Sequence, residues 1–140
     1  LATYSKPFVE QGELVNYMLS TYSGRKLGMP STANAGGARN LFVTHGELDQ
    51  TQLLKQMDRG LLVTELMGQG LNLVTGDYSR GAGGYWVENG QIQYPVQEVT
   101  IAGNLRDLYR NIQAIGNDLD LRGSIRTGSV LLEKMMVAGQ

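Results

Sequence analysis

Cysteine is absent from the 140 residues, which removes both a disulfide framework and any thiolate metal site. Histidine occurs once, at His45, too few for the multi-histidine sets of catalytic zinc. Charge of neither sign accumulates, since 12 Lys and Arg are set against 13 Asp and Glu without a run of either. That speaks against nucleic-acid binding through a basic stripe. No apolar stretch approaches the ~20 residues of a membrane span, and no signal peptide opens the chain. With no cysteine and no membrane anchor, the sequence reads as cytoplasmic. It begins at Leu1 rather than Met, and so reads as a fragment of something longer.

Proline is scarce, at three, while glycine reaches 19. Glycine scattered without a repeat points to tight turns and bulges, a β-rich signature. Residues 13–22 alternate, with Val15, Tyr17 and Leu19 on one side, and predict a strand. Residues 23–40 are rich in Gly, Ser and Asn and read as a long loop with at most a helical turn near Arg25. A short strand follows at 41–45. Asp49 with Gln52 forms a capping-box signature for a helix over 49–60, with Gly60 as its stop. The apolar run 61–67 suits a buried strand, and 71–79 a further strand ending near Arg80.

Asn89-Gly90 is the strongest hairpin signal, because a type I′ turn needs positive φ at both central residues. A two-residue loop sets Val87 opposite Ile92 and Tyr85 opposite Tyr94. Tyr85, Val87, Ile92 and Tyr94 then share one face, and Trp86, Glu88, Gln91 and Gln93 the other. Pro95 cannot donate to a ladder, so it marks a strand end or a sheet edge. Residues 96–102 read as a strand. A helix is expected over 104–116, with Asn104 as N-cap and Leu105, Leu108, Ile112 and Ile115 at helical spacing. A final strand covers 129–139. The whole predicts one α+β domain, 1–140, with a mostly antiparallel, barrel-like sheet and two short helices.

The cluster Gly81, Gly83 and Gly84 lacks the Gly-Lys-Ser/Thr ending of a P-loop and the spacing of a dinucleotide fingerprint. Between strand signals it reads as a bend or bulge. The alternative is a ligand or another backbone laid across the bare glycines. His45, before Gly46, has neither a partner nucleophile nor an orienting acid and reads as structural. Asp118 and Asp120 would share a strand face, available to a hard cation, though a half-buried strand explains them as well. Trp86 with Glu88, Gln91 and Gln93 reads as a solvated sheet face or a peptide- or sugar-binding one. Arg106, Asp107 and Arg110 read as the wet side of their helix.

Taken together, the Thr75-Gly76-Asp77 string, the Glu88-Asn89-Gly90 hairpin, Pro95-Val96 and Ala102-Gly103-Asn104 closely resemble the C-terminal domain of the TldD/PmbA family. The resemblance extends over all 140 residues and favours the PmbA-type (TldE) branch. It implies a subunit of a cytosolic metallopeptidase complex that processes peptide-antibiotic precursors and degrades small or unfolded proteins. In this family the TldD-type subunit carries the catalytic zinc on a His-Glu-x-x-x-His helix, with a Cys ligand from its C-terminal domain. The region matching that Cys, residues 120–130, contains none. The resemblance therefore implies a domain without catalytic or metal-binding residues. Its partners would be a TldD-type metal-binding subunit, in a heterodimer, and a peptide substrate, with no nucleic acid and no membrane. Thr75, Gly76, Asp77, Tyr78, Gly81, Gly83 and Gly84 would line a peptide groove or subunit interface, with the peptide added as a strand. Two alternatives stay open: a metalloprotease subunit active in its own right, with ligands upstream of residue 1, and a regulatory adaptor.

Overall fold

The computed structural model describes residue 2 and residues 4–139. They form two compact units, Leu1–Leu41 and Phe42–Gln140. In the first, β1 (Val9–Glu10) and β2 (Glu13–Leu14) make a small antiparallel pair, and α1 spans Thr21–Leu27. The strand expected over 13–22 therefore ends at Leu14. Ser20 and Ser23 form a reciprocal capping box that starts α1 instead, and Gly28 closes it in the left-handed conformation. The alternation of 13–22 hid this because Ser at N3 replaces the usual Glu or Gln. Leu19, 5% exposed, anchors the unit through paired hydrogen bonds with Thr32.

The second unit is built on a four-stranded antiparallel sheet. Its strands are β4 (Gly60–Met67), β5 (Asp77–Glu88), β6 (Gln91–Asn104) and β10 (Met136–Ala138), in the order β10-β6-β5-β4. Two separate two-stranded pairs are β3 (Leu41–Phe42) with β8 (Ile125–Arg126), and β7 (Ile112–Ile115) with β9 (Val130–Leu132). α2 (Gln50–Met57) and α3 (Leu105–Arg110) complete a fold with three helices rather than two. The architecture is α+β and antiparallel, as expected. The main sheet is open, with β10 and β4 at its margins, so it does not close into a barrel.

Several boundaries differ from the pattern-based reading. α2 starts on the expected Asp49–Gln52 capping box, but it stops at Asp58, which adopts φ +62 as C-cap. Gly60 begins β4 instead of ending the helix. β4 is half-buried from Gly60 to Val63 and exposed from Thr64 onward, so it is not a buried strand throughout. The helix from Asn104 ends at Arg110, where the Asn111 amide turns back to the Asp107 and Leu108 carbonyls. Ile112 and Ile115 then pair with Leu132 and Val130, a β-branched pair of positions better suited to a ladder than to a helix. The expected final strand is two, β9 and β10, separated by residues 133–135.

The Asn89-Gly90 turn is as the sequence requires, with φ of +53 and +69. Val87 faces Ile92, but Trp86 faces Tyr94 and Tyr85 faces Pro95. One extra residue on β6, at Gln93, shifts the register and carries Tyr94 to the side of Trp86. β5 does not end near Arg80 but runs unbroken through the glycines to Glu88. The cluster accordingly sits within a strand and beside a bulge, not at a bend between strands. Pro95 lies mid-strand rather than at a strand end, but on a sheet edge as expected: among the described residues this stretch of β6 is bordered by β5 alone, β10 pairing with Thr100–Ala102. The sheet's core is Ala82, Val99 and Ile101, packed by Leu61, Val63, Tyr78, Val96 and Met135. Val87 is fully buried nearer the hairpin.

Candidate functional site

The turn leading into β5 is defined almost entirely by its polar side chains. Asn72 accepts through Oδ1 from the Val74 amide at 2.9 Å, an Asx turn, and its carbonyl accepts from Gly76 N at 2.7 Å. Gly76 supplies φ +81, a conformation that residues with a Cβ seldom adopt. Thr75 Oγ1 donates to Asp77 Oδ2 at 2.7 Å, and Asn72 N donates to the Asp77 carbonyl at 2.9 Å. Asn104 then ties this turn to α3. Its Oδ1 caps the helix at Arg106 N, while its Nδ2 donates to the Thr75 carbonyl at 3.0 Å and to Asp77 Oδ1 at 3.3 Å.

This lattice carries two apolar side chains out into solvent. Leu73 is 85% exposed and Val74 94%. Beside them an open depression of about 400 Å³ is lined by Gly70, Leu71, Asn72, Asp77, Tyr78 and Ser79 among others. Of the residues singled out from the sequence, Thr75, Gly76, Asp77 and Tyr78 are thus brought together in and beside the turn. Asn72, Leu73 and Val74 were not singled out, and Asn104 was read as a helix N-cap but not as the tie to this turn. An Asn followed by Thr-Gly-Asp is the signal that would have found the Asx turn.

Gly81, Gly83 and Gly84 lie further along β5. Over this stretch β5 is paired with β4 on one side and β6 on the other. Gly83 is buried between Glu65 and the Val96 carbonyl, and Gly84 lies hard against the Leu62 carbonyl. The backbone crossing the bare glycines is therefore the chain's own. A peptide laid here has a sheet face to meet, not a free edge.

The remaining candidates are dispersed. Trp86 donates to Glu88 Oε1 at 3.0 Å, with the Arg59 guanidinium 5.7 Å from its ring centre and 3.8 Å from the same carboxylate. Gln93 turns back to the Glu88 and Gln91 carbonyls. His45 is exposed, its Nδ1 2.6 Å from the Gly46 carbonyl. Asp118 and Asp120 lie in a loop rather than on a strand. Asp118 accepts from the Ser129 amide and hydroxyl, at 3.0 and 2.6 Å. Arg106, Asp107 and Arg110 are exposed on α3, as expected. No group of three His, Cys, Asp or Glu among the described residues could hold a metal.

Asp120 meets Arg122 in a two-pronged pair, at 2.9 and 2.8 Å. The Arg122 side-chain hydrogen bonds and then its backbone amide hold the carboxyl down at about 2. Folded-state depression means that the pair stabilises above the ordinary carboxylate range and fades as pH falls from about 4 to about 2. The pair is fully exposed, so salt should weaken it. An NMR titration is expected to place the Asp120 midpoint near 2, and Arg122→Gln to return it toward the ordinary value.

Residues 1–139 match the family model of the PmbA/TldA metallopeptidase C-terminal domain. The chain is 54% identical to Metalloprotease PmbA of Escherichia coli O157:H7, over 99% of its own length and 31% of the relative's. It is 55% identical to a Metalloprotease PmbA homolog of Haemophilus influenzae, over 98% of its length and again 31% of the relative's. The chain thus spans about a third of these relatives. A crystal structure of a candidate modulator of a DNA gyrase from Thermotoga maritima superposes with a TM-score of 0.88. It is 40% identical, over 99% of this chain and 34% of that one. Among the described residues, no helix is long and apolar enough to cross a membrane.

Proposed function

Because this chain belongs to the PmbA/TldD metallopeptidase C-terminal domain family, we propose that it serves a cytoplasmic metallopeptidase complex as scaffold and interface, the zinc being held by a TldD-type partner. The observation that carries this reading is the Leu73–Val74 turn. Two aliphatic side chains held almost wholly in water, on a backbone locked by Asn72, Thr75 and Asn104, are the form of an interface anchor. Their rigidity lowers the entropy lost on docking. The fixed hydrogen bonds of His45 and Asp118, and the ion pair of Asp120, support assigning the metal chemistry elsewhere. The adjoining depression and the face over Gly81, Gly83 and Gly84 would receive an extended peptide, such as an antibiotic precursor or an unfolded chain.

The test uses the full-length protein, alone and mixed with the TldD-type subunit, with metal content and peptide cleavage measured in each. Cleavage only in the mixture is expected, and Val74→Asp should weaken association at least about tenfold, the scale of a lost hot spot. The relatives' name, metalloprotease, favours a second reading, a subunit active alone. Zinc binding and cleavage by the isolated protein would establish that reading and end the first. The Thermotoga protein's name suggests an adaptor directed at a gyrase, which would bind gyrase without the TldD-type subunit.

A further inference from the structure

Asn89-Gly90 is the sequence pair most prone to succinimide chemistry, because the small Gly leaves its amide nitrogen open to the preceding side chain. In that reaction the Gly90 nitrogen bonds to Asn89 Cγ, loses its proton, and expels the side-chain amide as ammonia. Water then opens the ring to Asp or isoaspartate. Asn89 is exposed and sits at the hairpin tip. The nucleophile, however, is occupied. Gly90 N–H donates to the Asp58 carbonyl at 2.9 Å, at the C-cap of α2. Gly90 is buried, and a Cβ placed on it would stand 2.8 Å from Lys55 Cα, so the turn is seated directly on that helix.

We infer that Asn89 is a latent deamidation site locked by α2: the reaction proceeds only when the hairpin tip lifts from Lys55 and Asp58. The inference is independent of the proposed scaffold and interface role. Its consequence is structural. Isoaspartate adds a backbone atom to a two-residue turn that sets the register of β5 on β6, so one slow chemical event would unseat the longest ladder in the fold.

The experiment incubates the protein and the free peptide of residues 87–93 at mildly alkaline pH and follows residue 89 by peptide mass spectrometry. The protein is expected to react at least about tenfold more slowly, as for a site opened by local unfolding. Asp49→Ala removes the α2 capping box and is expected to accelerate the reaction about fivefold, the factor for one lost cap. In low urea, deamidation and hydrogen exchange of the Gly90 amide should rise together. Equal rates in protein and peptide would overturn the inference. So would slow deamidation indifferent to Asp49→Ala while Gly90 exchange accelerates, because the turn's own conformation would then be the protection.

Discussion

Gly84→Ala is expected to cost about 3 kcal/mol or more, the upper range for forced overpacking, read as a fall in the urea midpoint. A Cβ at this position would lie 1.9 Å from the Leu62 carbonyl oxygen, 2.9 Å from its carbon and 3.1 Å from Val63 Cα. All three are backbone, so no rotamer change can relieve the contact. The clash falls where β4 carries an extra residue, between Val63 and Glu65, against β5. Separating the strands there would open the ladder next to Ala82, which is completely buried. Gly83→Ala is the internal control. Its Cβ would meet the Val96 carbonyl at 3.5 Å and Glu65 at 3.7 Å, ordinary contacts. Replacing a strand glycine there is expected to be neutral or to stabilise by about 0.5 kcal/mol through reduced unfolded-state freedom. The contrast bears on the peptide-face proposal, because Gly83 can be altered with the fold intact and Gly84 cannot. Equal destabilisation by the two alanines would refute the geometry of the β4 bulge.

Gly70→Ala is expected to have an effect of similar size, about 3 kcal/mol, and a different location. Its Cβ would stand 1.5 Å from the Ser79 carbonyl oxygen, while the Gly70 carbonyl itself accepts from Ser79 N at 2.7 Å. The two backbones are in direct contact, with no room for a methyl group between them. Relief would require residues 70–72 to move off β5, taking with them the Leu71–Tyr78 bridge and Asn72. The Leu73–Val74 anchor would lose its fixed position. On the proposed reading, binding to a TldD-type partner is expected to fall along with stability, whereas Gly84→Ala should lower stability with the turn's own hydrogen bonds retained. Amide exchange at Val74 and Gly76 separates the two: it should accelerate strongly only for Gly70→Ala. Protection of both amides in that variant would show that the turn holds itself without Gly70.

The features legible in the sequence were those written in local chemistry. Asp49 with Gln52, Asn104, and Asn89-Gly90 each specify a backbone conformation through a hydrogen bond or a positive φ, and all three start or turn an element as read. Misreadings came where one pattern serves two structures. Leu105, Leu108, Ile112 and Ile115 keep helical spacing, yet the last two belong to β7, because the partner strand β9 lies far along the chain. The Tyr85–Tyr94 pairing failed for a related reason. An extra residue at Gln93 leaves no mark on composition, and it reverses the faces of β6 against β5 until the second shift, between Ala82 and Gly84, restores them. Thr75, Gly76, Asp77 and Tyr78 were singled out from the sequence, but the exposure of Leu73 and Val74 was not foreseen, since an apolar pair inside an expected strand reads as core. Only the placement of Asn104 beside Thr75 shows that the pair lies on a turn facing outward.

The proline in the middle of β6 has a bearing on colloidal behaviour. Among the described residues, this strand pairs from Gln91 to Val99 with β5 alone, so its other margin presents main-chain groups that a second molecule could zip onto. Three obstacles sit along that margin. Pro95 lacks a donor, Gln93 interrupts the register, and Glu98 combines a carboxylate with φ +56 at the second bulge. A missing donor, a broken pleat and a charge are the devices by which sheets refuse unwanted intermolecular pairing. Such resistance is thus concentrated along this margin of β6, on residues that contribute little to the sheet's core.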